Sequence, residues 1–167
     1  MHRTFGDALK LISVLFISII FCTPVKADTA TTTFQVTSTV ISSCGVSASD
    51  LAFGDYDIVA GTAIAGSTTV SVTCSSGTAY EIGLDAGLGA GATVTTRKMT
   101  NGGNTLSYSL YSDVSHTTVW GETTGVDTLS SSGTGAAQNF TVYGLINASQ
   151  SVPTGSYSDT ITVTVTF

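Results

Sequence analysis

Apolar residues recur at every second position through most of this chain, and no stretch carries an apolar stripe of helical period. Phe34, Val36 and Val40 share one face of a Thr-rich run between Thr31 and Ile41. Val70, Val72 and Cys74 alternate with Thr69, Ser71 and Thr73. Tyr80, Ile82 and Leu84 form one face, as do Leu106, Tyr108 and Leu110, and Phe140 and Val142 open a further strand. At the end of the sequence Ile161, Val163, Val165 and Phe167 alternate without a break against Thr160, Thr162, Thr164 and Thr166. Valine and threonine are β-branched and suit a pleated, half-buried surface. Glycine-rich turns punctuate these runs, and Asn101-Gly-Gly-Asn104 reads as a hairpin connection. The pattern predicts an all-β domain, an immunoglobulin-like β-sandwich or a related Greek-key barrel, with a disulfide between its sheets. The stretch from Asp113 to Gln138 is a long Ser/Thr/Gly-rich loop, in which Trp120 and Val126 either pin the loop to the core or mark a functional surface.

The N-terminus follows a different rule. Arg3 and Lys10 precede the apolar run from Leu11 to Phe21, and Val25-Lys26-Ala27 offers small residues at the positions a signal peptidase reads. The run is too short for the ~20 residues of a bilayer span, so residues 1–27 are expected to be a cleaved signal peptide and no membrane insertion is expected. Removing 27 residues from 167 leaves 140, the size of one domain. That portion keeps two basic residues, Arg97 and Lys98, against ten acidic ones, a net charge of −8. A nucleic-acid partner requires the opposite sign. Cys22 leaves with the signal, so Cys44 and Cys74 remain as a pair in an oxidising compartment. Closing the loop between them is expected to stabilise the fold by about 3–4 kcal/mol.

Groups able to titrate or attack are scarce. His116 is the one histidine after the signal; in a polar loop it reads as solvated, and one histidine is too few for zinc. Asp55 and Asp57 flank Tyr56, without the sixth-position glycine and terminal glutamate of a calcium loop. Gly87 to Gly91 lacks the lysine and following helix of a phosphate loop. Neither an enzyme nor a cofactor is expected.

Four stretches together carry a resemblance. The ending Gly155-Ser-Tyr157-Ser-Asp159-Thr-Ile161-Thr-Val163-Thr-Val165-Thr-Phe167 resembles that of spore coat protein U domain proteins, among them subunits of archaic, Csu-type chaperone–usher pili. Cys44-Gly-Val-Ser-Ala with Leu51-Ala-Phe53-Gly54-Asp55-Tyr56, then Val70-Ser-Val72-Thr-Cys74, then Leu106-Ser-Tyr108-Ser-Leu110-Tyr111 with Trp120-Gly121, are similar to the same family in the same order. The resemblance implies a sandwich lacking its last strand, with a groove edged by Ile161, Val163, Val165 and Phe167. It further implies a periplasmic chaperone that fills the groove, an outer-membrane usher, and neighbouring subunits joined head to tail into a surface pilus for adhesion and biofilm formation. Residues 28–43 are then an N-terminal extension, with Phe34, Val36 and Val40 on its donor strand, and residues 44–167 the sandwich. The alternation alone fits equally a strand given to a neighbour and the domain's own first strand. The competing function is a self-sufficient secreted module of a spore or cell coat that binds carbohydrate or another surface through Trp120 and Tyr111.

Overall fold

The computed structural model describes residues 24–167; residues 1–23, most of the expected signal peptide, lie outside them. The chain divides after Ser38 into two units. Residues 24–38 form no strand or helix and are exposed. Residues 39–167 form the β domain, and no helix occurs among the described residues.

Eight antiparallel strands build it: β1 (Cys44–Ala48), β2 (Ile64–Cys74), β3 (Ala79–Leu84), β4 (Arg97–Asn101), β5 (Asn104–Tyr111), β6 (Leu129–Ser132), β7 (Gln138–Ile146) and β8 (Val163–Thr166). One sheet has the order β1-β2-β7-β5-β4 and the other β6-β3-β8. The period-2 faces read from the sequence become the core between them. Val70, Val72, Tyr80, Ile82, Leu84, Leu106, Tyr108, Leu110, Val142 and Ile146 are all buried, each large apolar side chain contributing about 1.5–3 kcal/mol. The Asn101–Asn104 segment is the β4–β5 hairpin turn, and Gly102 takes the positive φ of 58° that such turns require.

Three differences from the sequence reading have physical causes. Cys44 and Cys74 face each other directly across the β1–β2 ladder, so their disulfide ties two neighbouring strands of one sheet and does not bridge sheets. β8 begins only at Val163, although the apolar alternation starts earlier. The preceding backbone is held partly by side chains: the Thr162 N–H donates to Asp85 Oδ1 (2.9 Å) and the Asp85 N–H to the Thr162 carbonyl (3.1 Å). Thr31 to Ile41, expected as a strand, is without one, since nothing among its hydrogen bonds supplies a ladder.

Trp120 is completely buried and donates its indole N–H to the Ile82 carbonyl (2.8 Å), which fixes the long β5–β6 connection to β3. Arg97, also buried, donates to the carbonyls of Asp85 (2.8 Å), Val94 (2.7 Å), Leu84 (2.9 Å) and Trp120 (2.8 Å). One guanidinium thereby satisfies four backbone acceptors from the end of β3 and the β3–β4 and β5–β6 connections, a use of its fixed fork of donors that lysine cannot copy.

Candidate functional site

The two sheets do not cover each other fully. β1 ends one sheet and β8 the other, and the two strands approach each other with no ladder between them. Val46 is paired with Val72 and so points to the same side of the sheet; Val72 is fully buried, whereas Val46 is 44% exposed. A core-facing position left open beside two unpaired edges is what remains when a sandwich lacks one strand.

Past β1 the gap deepens into a trough. Leu51 and Phe53 lie over the sheet at Gly66 and Gly144, which are partners across β2 and β7. A Cβ on Gly144 would sit 2.7 Å from the Phe53 ring, so glycine is what lets that ring lie so close to the backbone. Phe53 meets Tyr108 edge-on at 5.9 Å between ring centres. A cavity of about 390 Å³ is lined by Leu51, Phe53, Val70, Leu110, Ile161 and Val163 among others. A second, of about 560 Å³, is lined by Tyr56, Leu106, Ile146, Val152 and Pro153. Leu51, Phe53, Met99 and Tyr157 border both, so the two adjoin as one trough with these apolar side chains between them and polar residues such as Ser49, Thr68 and Ser158 at its margins.

Three carboxylates line the trough, Asp50, Asp55 and Asp159, and Asp159 is the one tied to the core. It accepts the Tyr108 hydroxyl (2.8 Å), the Leu88 N–H (2.8 Å) and the Thr160 N–H (2.8 Å). Burial, reinforced by the bond and charge of Asp159, pushes the Tyr108 phenol well above its ordinary range. Burial pushes the Asp85 carboxyl up, but the bonds from Thr162, the Gly87 N–H and the charge of Arg97 outweigh it, so its pKa is lowered. Burial lowers the pKa of Arg97, opposed chiefly by Tyr108 and by the charges of Asp85, Asp159 and Glu122.

Of the residues singled out in sequence, Ile161 and Val163 line the trough. Val165 is half-buried and packs against the core, while Phe167, just past β8, is exposed. Phe34, Val36 and Val40 are 86%, 84% and 90% exposed. The trough's opposite wall, Leu51 with Phe53, was visible in sequence only as a short apolar pair and gave no sign of its position. Trp120 is fully buried and unavailable as a sugar platform. His116 is not solvated: its ring sits edge-on between Tyr111 (5.3 Å) and Tyr143 (6.4 Å), and its Nε2 is buried without a partner. At the Gly87–Gly91 run Asp159 accepts the Leu88 N–H (2.8 Å) and the Lys98 ammonium donates to the Ala90 carbonyl (3.2 Å), so the loop's polar contacts are made within the domain. Among the described residues no three His, Cys, Asp or Glu side chains gather as a metal site.

Comparison with known proteins agrees with this architecture. The profile of the Spore Coat Protein U domain matches residues 30–164. Protein U of Myxococcus xanthus is 36% identical over 165 residues, covering 90% of this chain and 92% of its own. Among solved structures, the CsuC–CsuE chaperone–tip adhesion subunit pre-assembly complex, from archaic chaperone–usher Csu pili of Acinetobacter baumannii, superposes with a TM-score of 0.57 at 25% identity. That match covers 77% of this chain, which spans 40% of the matched one. On the profile and the Myxococcus relative together, this chain belongs to the Spore Coat Protein U domain family.

Proposed function

We propose that the protein is a structural subunit of a surface fibre of the pilus type, assembled by strand donation along a chaperone–usher route. The observation that carries this reading is the open trough beside the unpaired edges of the two sheets, walled by Leu51 and Phe53 after β1 and by Ile161 and Val163 at the start of β8. An extended peptide laid there gains main-chain hydrogen bonds from the free edges and sinks alternate side chains into the trough. Residues 28–43 supply such a peptide, with Phe34, Val36 and Val40 exposed and of one parity.

In this scheme residues 1–27 direct export and are removed, residues 28–43 are the donor extension, and residues 44–167 are the acceptor domain. A periplasmic chaperone occupies the trough of each new subunit at Ile161, Val163, Val165 and Phe167 until an outer-membrane usher exchanges it for the extension of the next. Donor and acceptor are different surfaces of one chain, so the contact is heterologous and propagates into an open, head-to-tail fibre. The fibre stands on the cell surface and serves adhesion and biofilm formation. Support comes from the likeness to the CsuC–CsuE complex, itself a chaperone with a pilus subunit.

The test is removal of residues 28–41 during co-expression with candidate periplasmic chaperones. The truncated subunit is expected to form a stable binary complex with its chaperone and to yield no fibres. Fibres built from it would overturn strand donation, and a subunit that purifies alone as a stable monomer with or without a chaperone would overturn the chaperone–usher route.

A further inference from the structure

Burial alternates strictly from Tyr157 to Thr166: residues 157, 159, 161, 163 and 165 are half-buried and residues 158, 160, 162, 164 and 166 exposed. The inward line therefore reads Tyr157, Asp159, Ile161, Val163, Val165, the first four of which line the trough, and only Asp159 in it is charged. All residues of the extension are exposed, and its even-numbered line from 34 to 40 reads Phe34, Val36, Ser38, Val40, in which only Ser38 is polar. Each otherwise apolar line is interrupted once. Asp159 also has capacity to spare: an ionised carboxylate offers about four acceptor sites, and its partners are the Tyr108 hydroxyl and two backbone N–H groups.

Resting on the strand-donation reading, we propose that Ser38 and Asp159 set the register of the donated strand. The Ser38 hydroxyl donates to the unused acceptor site of the neighbour's Asp159 and leaves no polar group of either line facing an apolar side chain. An antiparallel donor in this register places Val36 opposite Ile161, Phe34 opposite Val163 and Val40 opposite Tyr157. A parallel one would place Phe34 opposite Gly155, outside the apolar line. A slip by one residue turns the apolar face outwards and is excluded by pleating. The competing registers are slips by two, which set Val36 or Val40 against Asp159, where the carboxylate loses water and gains no donor. Loss of a hydrogen bond to a charged acceptor makes each slip less populated by roughly tenfold or more. Side chains directly opposite across antiparallel strands are about 5 Å apart at Cβ, within reach for this bond.

The test is disulfide trapping in surface fibres sheared from cells expressing the full chain. Val36→Cys combined with Ile161→Cys is expected to give a ladder of covalent oligomers without reductant, and Val36→Cys with Val163→Cys at least roughly tenfold less. Adding Ser38→Val to both is expected to abolish that preference. A ladder from the Val163 pair, an unchanged preference in the Ser38→Val background, or fibres that need residues 28–41 yet cross-link through neither pair, each overturns the register. Fibres that form without residues 28–41 would instead remove strand donation itself. A second series adds no cysteine to the groove: Ser38→Asp sets like charges opposite each other and is expected to stop assembly, and Asp159→Asn in the same chain to restore it. Assembly unaffected by Ser38→Asp, or absence of rescue, contradicts the pairing.

Discussion

Replacing Phe34, Val36 and Val40 together by alanine separates two roles that the alternation of the extension does not distinguish. All three are at least 84% exposed in the single chain, so they contribute almost nothing to the stability of the β domain itself. Surface changes of this kind are worth within about 0.5 kcal/mol. Seated in a neighbour's trough the same side chains leave water almost entirely. Each Val→Ala change removes two carbons from the buried set, about 1.6 kcal/mol at ~0.8 kcal/mol per carbon, and Phe→Ala about 3 kcal/mol. The triple change therefore weakens each subunit junction by about 6 kcal/mol, roughly four decades in its dissociation constant.

Two measurements on the same protein read this out. The thermal midpoint of the subunit–chaperone complex should stay within about 1–2 °C, following the small change in domain stability, while the fibre should fall apart at far lower denaturant than the wild type. A lowered midpoint would place the three side chains in the subunit's own core and make residues 31–41 its first strand. A fibre of undiminished resistance would mean that its junctions are built elsewhere.

Arg97 offers a test of the core. Arg97→Met strips partners from four backbone carbonyls, and at ~1–3 kcal/mol per buried unsatisfied group the change should cost at least ~4 kcal/mol in denaturant unfolding; Arg97→Lys should recover only part of that, and wild-type stability in either would disprove the four-point anchor. Cys74→Ser should lower stability by about 3–4 kcal/mol, a loss that reductant reproduces in the wild type and leaves unchanged in the variant. The Asp85 carboxyl has its pKa lowered in the fold, so its stabilisation is complete above the unfolded value near pH 4 and disappears as pH falls through the lower folded value. Asp85→Asn should flatten that acid limb of the stability curve, and an unaltered limb would assign it to other carboxylates. Tyr108 is shifted the opposite way: its contribution is complete below about pH 10 and is lost as pH rises further, a limb that Tyr108→Phe should remove.

Much of the fold was legible because every core strand keeps its apolar residues on one parity. Val70 to Cys74, Tyr80 to Leu84 and Leu106 to Leu110 became buried faces in the expected order, since period 2 is a local property of the backbone. The trough was legible on one side only. Ile161 and Val163 belong to an unbroken alternation, but Leu51 and Phe53 sit in an irregular segment whose position depends on two glycines, Gly66 and Gly144, that meet across β2 and β7. That coincidence is tertiary and leaves no mark on spacing. Sequence left Trp120 open between core and surface and read His116 as solvated for a related reason: a long polar loop gives no local sign that its aromatic residues turn inwards, and the loop is anchored from beneath by Arg97.

A domain with an open side must keep that side in shape before any partner arrives, and the hydrogen bonds show how this one does so. Beside β8 the backbone lacks the ladder a neighbouring strand would supply, and residues 158–162 are tied instead from behind. Ser158 exchanges two bonds with Thr100 of β4 (2.8 and 3.2 Å), Thr162 is gripped by Asp85, and Asp159 is fastened to Tyr108 and to the Gly87–Leu88 turn. These contacts use the inner and trailing sides of the segment and leave the edge that faces β1 unpaired. The Arg97 guanidinium holds the Leu84 and Asp85 carbonyls, so the support of Asp85 is itself anchored in the core. The side chains that make these bonds, Asp85, Arg97, Tyr108 and Asp159, lie in or behind one wall of the trough. There they fix its geometry, so that an incoming strand loses conformational freedom alone and the acceptor loses little.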